Sequence, residues 1–322
     1  MRAIVHDTYG SADVLRLDDI AAPVAGKGEV LVRISAAGVD RGVWHLMEGK
    51  PYVARLGLGL RRPRNRVLGF DLAGRVEALG EGVSGFEVGD EVLGIGRGTF
   101  AELACAPAAK LVHKPASLAV EQAAALSISG LTALQALRDA AGVQPGQHVL
   151  VIGAGGGVGS FAVQIAKVFG AEVTAVCSTG KVDLVRSLGA DHVVDYTRQQ
   201  ITDPGVRYDA VVDIGGNRSL SELRRVLTPK GALVIVGGEH GGRWLGGLDR
   251  NLRATVLSAF VGQRLRAPIS RERGPDIEEL VRMVEDGTVS PVIDRTYPLA
   301  DAPDALRHLA AGSPRGKLVV TI

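Results

Sequence analysis

Val149-Leu150-Val151-Ile152-Gly153-Ala154-Gly155-Gly156-Gly157-Val158-Gly159-Ser160-Phe161-Ala162-Val163-Gln164-Ile165-Ala166-Lys167 decides the fold. A short apolar run, too brief for a helix, reads as a buried strand, and the amphipathic stretch after the glycines reads as a helix. Between them the glycines permit a tight turn and let backbone N–H groups close on an anion, and the helix N-terminus adds unpaired donors and a favourable dipole. The glycine spacing is Gly-x-x-Gly-x-x-Gly. A tight strand-to-helix turn alone would also use glycine, but a strand before the run and a helix after it point to a dinucleotide pyrophosphate on Gly153, Gly156, Gly157 and Val158.

Downstream the same alternation continues. Glu172 to Cys177, His192 to Asp195, Tyr208 to Ile214 and Ala232 to Val236 read as buried strands, with helices at Asp183 to Leu188 and Leu220 to Leu227. Alternating strands and helices imply right-handed crossovers and a doubly wound parallel sheet. Upstream, short Val- and Gly-rich runs such as Glu29 to Ile34 and Glu91 to Gly94, broken by turn signals, predict an antiparallel β domain. After the sheet come helices at Asp276 to Glu285 and Ala302 to Ala311 and a last strand at Lys317 to Ile322, expected to rejoin the first domain. The fold class is therefore α/β. The domains are read as 1–120, 121–264 and a returning segment, 265–322.

A chain of 322 residues, 46% hydrophobic, can bury a large core. Its 37 basic and 35 acidic residues leave a formal charge of +2, which gives no footprint for nucleic acid. Cys105 and Cys177 form neither a disulfide framework nor a metal-like spacing, and no secretory signal is evident at Met1, so a cytoplasmic enzyme of small molecules is expected. The apolar runs are far shorter than the roughly 20 residues that span a bilayer.

At the end of the second strand, where an acid would hold a ribose 2′-hydroxyl, the sequence is Cys177-Ser178-Thr179-Gly180-Lys181. Hydroxyls and an ammonium suit a 2′-phosphate, so NADPH is the expected cofactor. Ser178 and Thr179 capping the next helix beside a solvated Lys181 is the plainer alternative.

With these residues in view, the chain resembles the zinc-independent quinone oxidoreductases, the zeta-crystallin-like branch of the medium-chain dehydrogenase/reductase superfamily, over nearly its whole length. The resemblance rests on Met1 to Leu15, Gly28-Glu29-Val30-Leu31-Val32-Arg33, Val67-Leu68-Gly69-Phe70-Asp71-Leu72-Ala73-Gly74 and Gly130-Leu131-Thr132-Ala133, in that order. It implies a GroES-like barrel, a Rossmann domain, an active site between them and a homodimer formed through Rossmann strands around Val256 to Val261. It also implies that Thr132 contacts the nicotinamide side, that Ser178, Lys181 and Tyr196 form the 2′-phosphate pocket, and that Lys317 approaches the cofactor unless it is a solvated strand-edge lysine.

Zinc members need a cysteine, a histidine and a further ligand. Here Asp40 takes the place of the first cysteine and Phe70-Asp71 that of a His-Glu pair, so no metal is expected. Without one, an activated quinone or enone is the expected hydride acceptor. A zinc-free alcohol or aldehyde dehydrogenase is a second reading, and an NADPH-binding sensor or structural protein a third. Asp40 and His45 match active-site Asn and Tyr positions. His45 is the candidate proton donor, and Asp40 would orient it or a substrate hydroxyl; the alternative makes Asp40 a helix cap and His45 a surface residue. The Arg-rich loop 55–66 would cover the site or lie solvated. His6, His113, His148, His192, His240 and His308 have no ligand-like spacing and receive no role.

Overall fold

The computed structural model describes residues 1–202, 205–238 and 242–322, so His240 lies outside the described residues. The chain divides into two compact units, one comprising 1–131, 271–287 and 291–322, the other 132–270 and 288–290.

In the first unit the strand Glu29–Val39 is central, because its apolar residues alternate inward: Val30, Val32 and Ile34 are buried. It pairs antiparallel with Asp71–Leu79 on one side and with the C-terminal strand Lys317–Thr321 on the other, and Leu103–Pro107 also joins it. The sheet runs on through Glu91–Ile95 to Leu111–His113, and Ile293–Pro298 lies beyond Lys317–Thr321. The last strand thus rejoins the first domain. Val30, Val32, Val43, Leu72, Phe100 and Leu318 belong to the core of this GroES-like unit.

The second unit carries six parallel strands in the order His192–Asp195, Glu172–Cys177, His148–Ile152, Tyr208–Asp213, Leu227–Ile235 and Arg264–Arg266. In sequence order this is 3-2-1-4-5-6, the doubly wound dinucleotide-binding arrangement. Its strands His148–Ile152, Glu172–Cys177 and Tyr208–Asp213 are almost wholly buried, as expected when helices cover both faces.

Two sequence expectations are corrected. The first boundary falls after 131 rather than 120, because the helix Val120–Ala124 packs on the strands Glu29–Val39 and Asp71–Leu79. The second falls after 270 rather than 264, because Arg264–Arg266 is the edge strand of the parallel sheet. Val256 to Val261 forms no strand: the helix Leu248–Ser258 runs through its start. Leu252, Val256 and Phe260 recur every four residues, a helical period, and all are exposed.

Candidate active site

The glycine run is built as its sequence implies. Gly153 follows the first strand at φ +85°, a conformation that excludes a β-carbon. Gly156 precedes the helix Gly157–Val168, whose first turn contains Gly157 and Val158. The first helical bond runs from the Ser160 N–H to the Gly156 carbonyl, and the N–H groups of Gly153, Ala154 and Gly156 are used within the loop, so the donors a helix start offers to an external acceptor are those of Gly157, Val158 and Gly159. Gly159 must be glycine for a different reason: a β-carbon there would lie 2.1 Å from the Gly153 carbonyl oxygen. A loop that closes this tightly on its own backbone presents donors, not side chains, which fits a pyrophosphate.

Beside it lies the loop after Cys177. Ser178 precedes a short helical turn, Thr179–Lys181, and its side chain makes no cap bond. The Lys181 stem lies against the glycine run, within 2.7 Å of where a β-carbon on Gly155 would sit. Tyr196 donates its backbone N–H to the Cys177 carbonyl at 3.1 Å and leaves its ring half exposed. These three residues are therefore brought together with the glycine run. Thr179 departs from expectation: its hydroxyl donates to Asp195 at 2.6 Å and so has no proton to give a phosphate. Sequence reasoning missed Asp195, which ends the third strand directly before Tyr196. Hydrogen bonds from Thr179 and then Thr197 hold its carboxyl below the usual carboxylate range, so its acceptor capacity is spent within the loop.

In the barrel unit, Asp40 follows the long strand and precedes the helix Arg41–Glu48, but its side chain makes no cap bond. Instead its Oδ1 accepts from Lys317 Nζ at 2.5 Å and from the Ser129 hydroxyl at 3.0 Å. Lys317 Nζ also donates to Asp71 Oδ2 at 3.0 Å, and Asp71 Oδ1 accepts the Ile128 N–H at 2.8 Å. Lys317 is 2% exposed and Asp71 0%. Lys317 is thus not a solvated strand-edge lysine; its charge is held between two carboxylates. Burial works against that charge, but Asp40 and Asp71 more than offset it and raise the lysine above its ordinary value.

Asp40 does not orient His45, since its bonds go to Lys317 and Ser129. His45 is half-buried on the following helix, its ring edge-on to Trp44, and is not a surface residue. Thr132 lies on the helix Ser127–Gln135. The Arg-rich loop is partly pinned: Arg55 stacks on Tyr9 and Tyr52 and donates to the Gly49 carbonyl, and Arg66 pairs with Asp7, whereas Arg61, Arg62 and Arg64 are exposed. A cavity of about 240 Å³ in this unit is walled by Leu46, Leu58, Val67 and Phe70, with Arg64 and Arg97 among its polar groups. Leu46 and Phe70 adjoin His45 and Asp71 in sequence, yet nothing in the sequence pairs them.

A zinc ion does not fit these residues. The two carboxylates at the ligand-like positions already share an ammonium, and among the described residues no three His, Cys, Asp or Glu side chains are grouped to hold a metal. Nor is any described helix long and apolar enough to cross a membrane.

Comparison with known proteins agrees with this geometry. Residues 26–116 match the alcohol dehydrogenase GroES-like domain, and residues 188–320 match a family described as zinc-binding dehydrogenase. The chloroplast envelope quinone oxidoreductase homolog of Arabidopsis thaliana is 31% identical, with 99% of this chain and 98% of that protein covered. The solved quinone oxidoreductase from Coxiella burnetii superposes with a TM-score of 0.87 at 29% identity, covering 100% of this chain and 99% of that one. Mycobacterial Rv1454c, solved in complex with NADPH, gives a TM-score of 0.86 at 28% identity with both chains fully covered. Fold, nucleotide loop and full-length similarity coincide, and the chain belongs to the quinone oxidoreductases of the medium-chain dehydrogenase/reductase superfamily.

Proposed function

We propose that this oxidoreductase carries hydride from NADPH to a quinone or an α,β-unsaturated carbonyl without a metal. The observation that carries the reading is Lys317, whose ammonium sits between Asp40 and Asp71 where zinc relatives would place ligands. An ammonium already held by two carboxylates offers no Lewis acid to an alkoxide, so the chemistry it suits is reduction of an acceptor that is already electron-poor. NADPH supplies the hydride when bound. Gly153, Gly156, Gly157 and Val158 would receive its pyrophosphate, Ser178, Lys181 and Tyr196 its 2′-phosphate, and Thr132 would lie toward the nicotinamide. His45 is the candidate donor of the proton that a reduced acceptor needs. The mostly apolar cavity near Phe70 suits a small flat ring.

A homodimer is proposed through the exposed stripe Leu252, Val256 and Phe260, because contiguous exposed apolar side chains mark association surfaces. The two free cysteines accord with a cytoplasmic setting.

The test follows NADPH oxidation at 340 nm with quinones, enones and aldehydes, using NADH and chelator controls. Chelator-insensitive turnover of quinones or enones with NADPH preferred supports the proposal. Turnover confined to aldehydes and abolished by chelation refutes it, and tight NADPH binding without turnover of any acceptor favours a sensor or structural role.

A further inference from the structure

The cluster of Asp40, Asp71 and Lys317 does not balance as drawn. Two ionised carboxylates beside one ammonium leave a net negative charge in a site where the lysine and Asp71 are fully enclosed. Among the described residues these three form no ion pair except with one another, and their remaining hydrogen-bond partners are the Ser129 hydroxyl and the Ile128 N–H. The hydrogen bonds do not balance either. Both oxygens of Asp71 and Oδ1 of Asp40 accept a bond, but Oδ2 of Asp40 is buried with no donor. An ionised oxygen left in that state is strongly disfavoured. The two carboxyl groups meet at one ammonium, Lys317 Nζ lying 2.5 Å from Asp40 Oδ1 and 3.0 Å from Asp71 Oδ2, and the packing is tight: a β-carbon on Gly38 would lie 2.6 Å from Asp71 Oδ2 and 2.5 Å from the Ala124 carbonyl oxygen.

We propose that Asp40 and Asp71 hold one proton between them, and that Asp71, carrying it, is the positioning residue that fixes Asp40 and the first turn of the helix Ser127–Gln135. The proton on Asp71 donates to the bare Oδ2 of Asp40, which completes the hydrogen bonding and makes the cluster neutral. Asp71 then touches every part: the strand Lys317–Thr321 through Lys317, the helix through Ile128, and Asp40 through the proton. Burial, and next the charge of Asp40, push the Asp71 carboxyl well above the usual carboxylate range. Burial also pushes Asp40 up, but Lys317 and its hydrogen bonds outweigh this and hold it below its ordinary value. Two like acids driven apart in this way behave as a pair sharing one proton.

The sign of the pH effect follows. The folded chain keeps a proton that the unfolded chain releases once pH exceeds the ordinary aspartate value. Stability therefore falls as pH rises from that value toward the raised value of Asp71, and levels off beyond it.

The experiment is infrared spectroscopy of the intact chain at neutral pH, with melting temperature recorded against pH. The wild type is expected to show a protonated carboxylic-acid carbonyl band. Asp40→Asn should abolish it, since the amide nitrogen supplies a permanent donor to Asp71 while the amide oxygen keeps Lys317 and Ser129. Its melting temperature should also vary less with pH than that of the wild type. A wild type without the band, or an Asp40→Asn variant that retains it, overturns the proposal. Asp71→Asn should lose the band as well, and should it fail to fold, Asp40→Asn decides alone. None of these readouts needs turnover, so they stand apart from whether the acceptor is a quinone.

Discussion

Replacing Lys317 with methionine tests the charge arrangement most directly. The thioether matches the lysine stem in length and apolar character but removes the ammonium, and with it donors at 2.5 Å and 3.0 Å to two carboxylates that are 8% and 0% exposed in their side chains. Removing one partner of a buried ion pair costs about 3–5 kcal/mol, because the charge left behind is uncompensated. For a unit of 150–250 residues each kcal/mol moves the melting temperature by about 2–4 °C, so a fall of roughly 6–20 °C is expected near pH 8. The deficit should shrink at lower pH. Without Lys317 the charge that chiefly opposes the effect of burial on Asp40 is gone, so both carboxyls take up protons more readily in the folded state. Each group whose folded value is raised adds stability at low pH and loses it as pH rises through that value. Calorimetry of Lys317→Met at pH 5.5 and pH 8, without cofactor, makes the comparison. A loss below about 1 kcal/mol at the higher pH, or one that does not change with pH, would refute the claim that this ammonium compensates the buried carboxylate charge of the pair.

Gly159→Ala places a β-carbon 2.1 Å from a backbone oxygen that cannot rotate away; overpacking of about 1–3 kcal/mol should weaken NADPH binding roughly 5- to 150-fold in a fluorescence titration, and a change within twofold would show that the loop relaxes freely. Lys181→Ala should lower the preference for NADPH over NADH by about tenfold, the scale of one hydrogen bond to a charged group, with NADH kinetics unchanged; equal losses with both cofactors would assign the lysine to loop packing instead. His45→Ala should reduce turnover by about 100-fold or more with acceptors that need a proton. Unchanged turnover on every accepted substrate would return His45 to a packing role against Trp44.

The parts legible in the sequence are those whose partners are near in the chain. The glycine run and its flanking strand and helix announce themselves because turn, donors and dipole all arise within some fifteen residues. The parallel, doubly wound sheet follows from repeated βα alternation, whereas its strand order does not. The segment around Val256 was placed among strands by the family resemblance, whereas its own apolar spacing, Leu252, Val256 and Phe260, is helical. Thr179 was read as a phosphate donor because its partner Asp195 arrives sixteen positions later on the neighbouring strand, where a buried apolar run hides a single acid at its end. Lys317 was the least legible. Its two partners are 277 and 246 residues away, and only the pairing of the last strand with Glu29–Val39 brings them to it.

On the metal-free reading proposed above, that pairing explains how a lysine stands where zinc relatives would place ligands. A dication needs three or four ligand atoms converging from separate segments; an ammonium needs only acceptors around one strand position, and closing the sheet with Lys317–Thr321 delivers it there. The substitution also changes what the site can do. A catalytic metal keeps an open position facing substrate, whereas Lys317 has spent two of its three protons on Asp40 and Asp71 and is enclosed. It holds the strand ends and the helix at Ile128 together but cannot polarise a carbonyl. Charge that develops on the acceptor must then be borne by the acceptor itself, as a conjugated quinone or enone can do, or be quenched by a proton from elsewhere. On that reasoning the substrate range is set less by what this cluster contributes than by what it withholds, and simple ketones and aldehydes, which cannot spread the charge, should be the poorest acceptors.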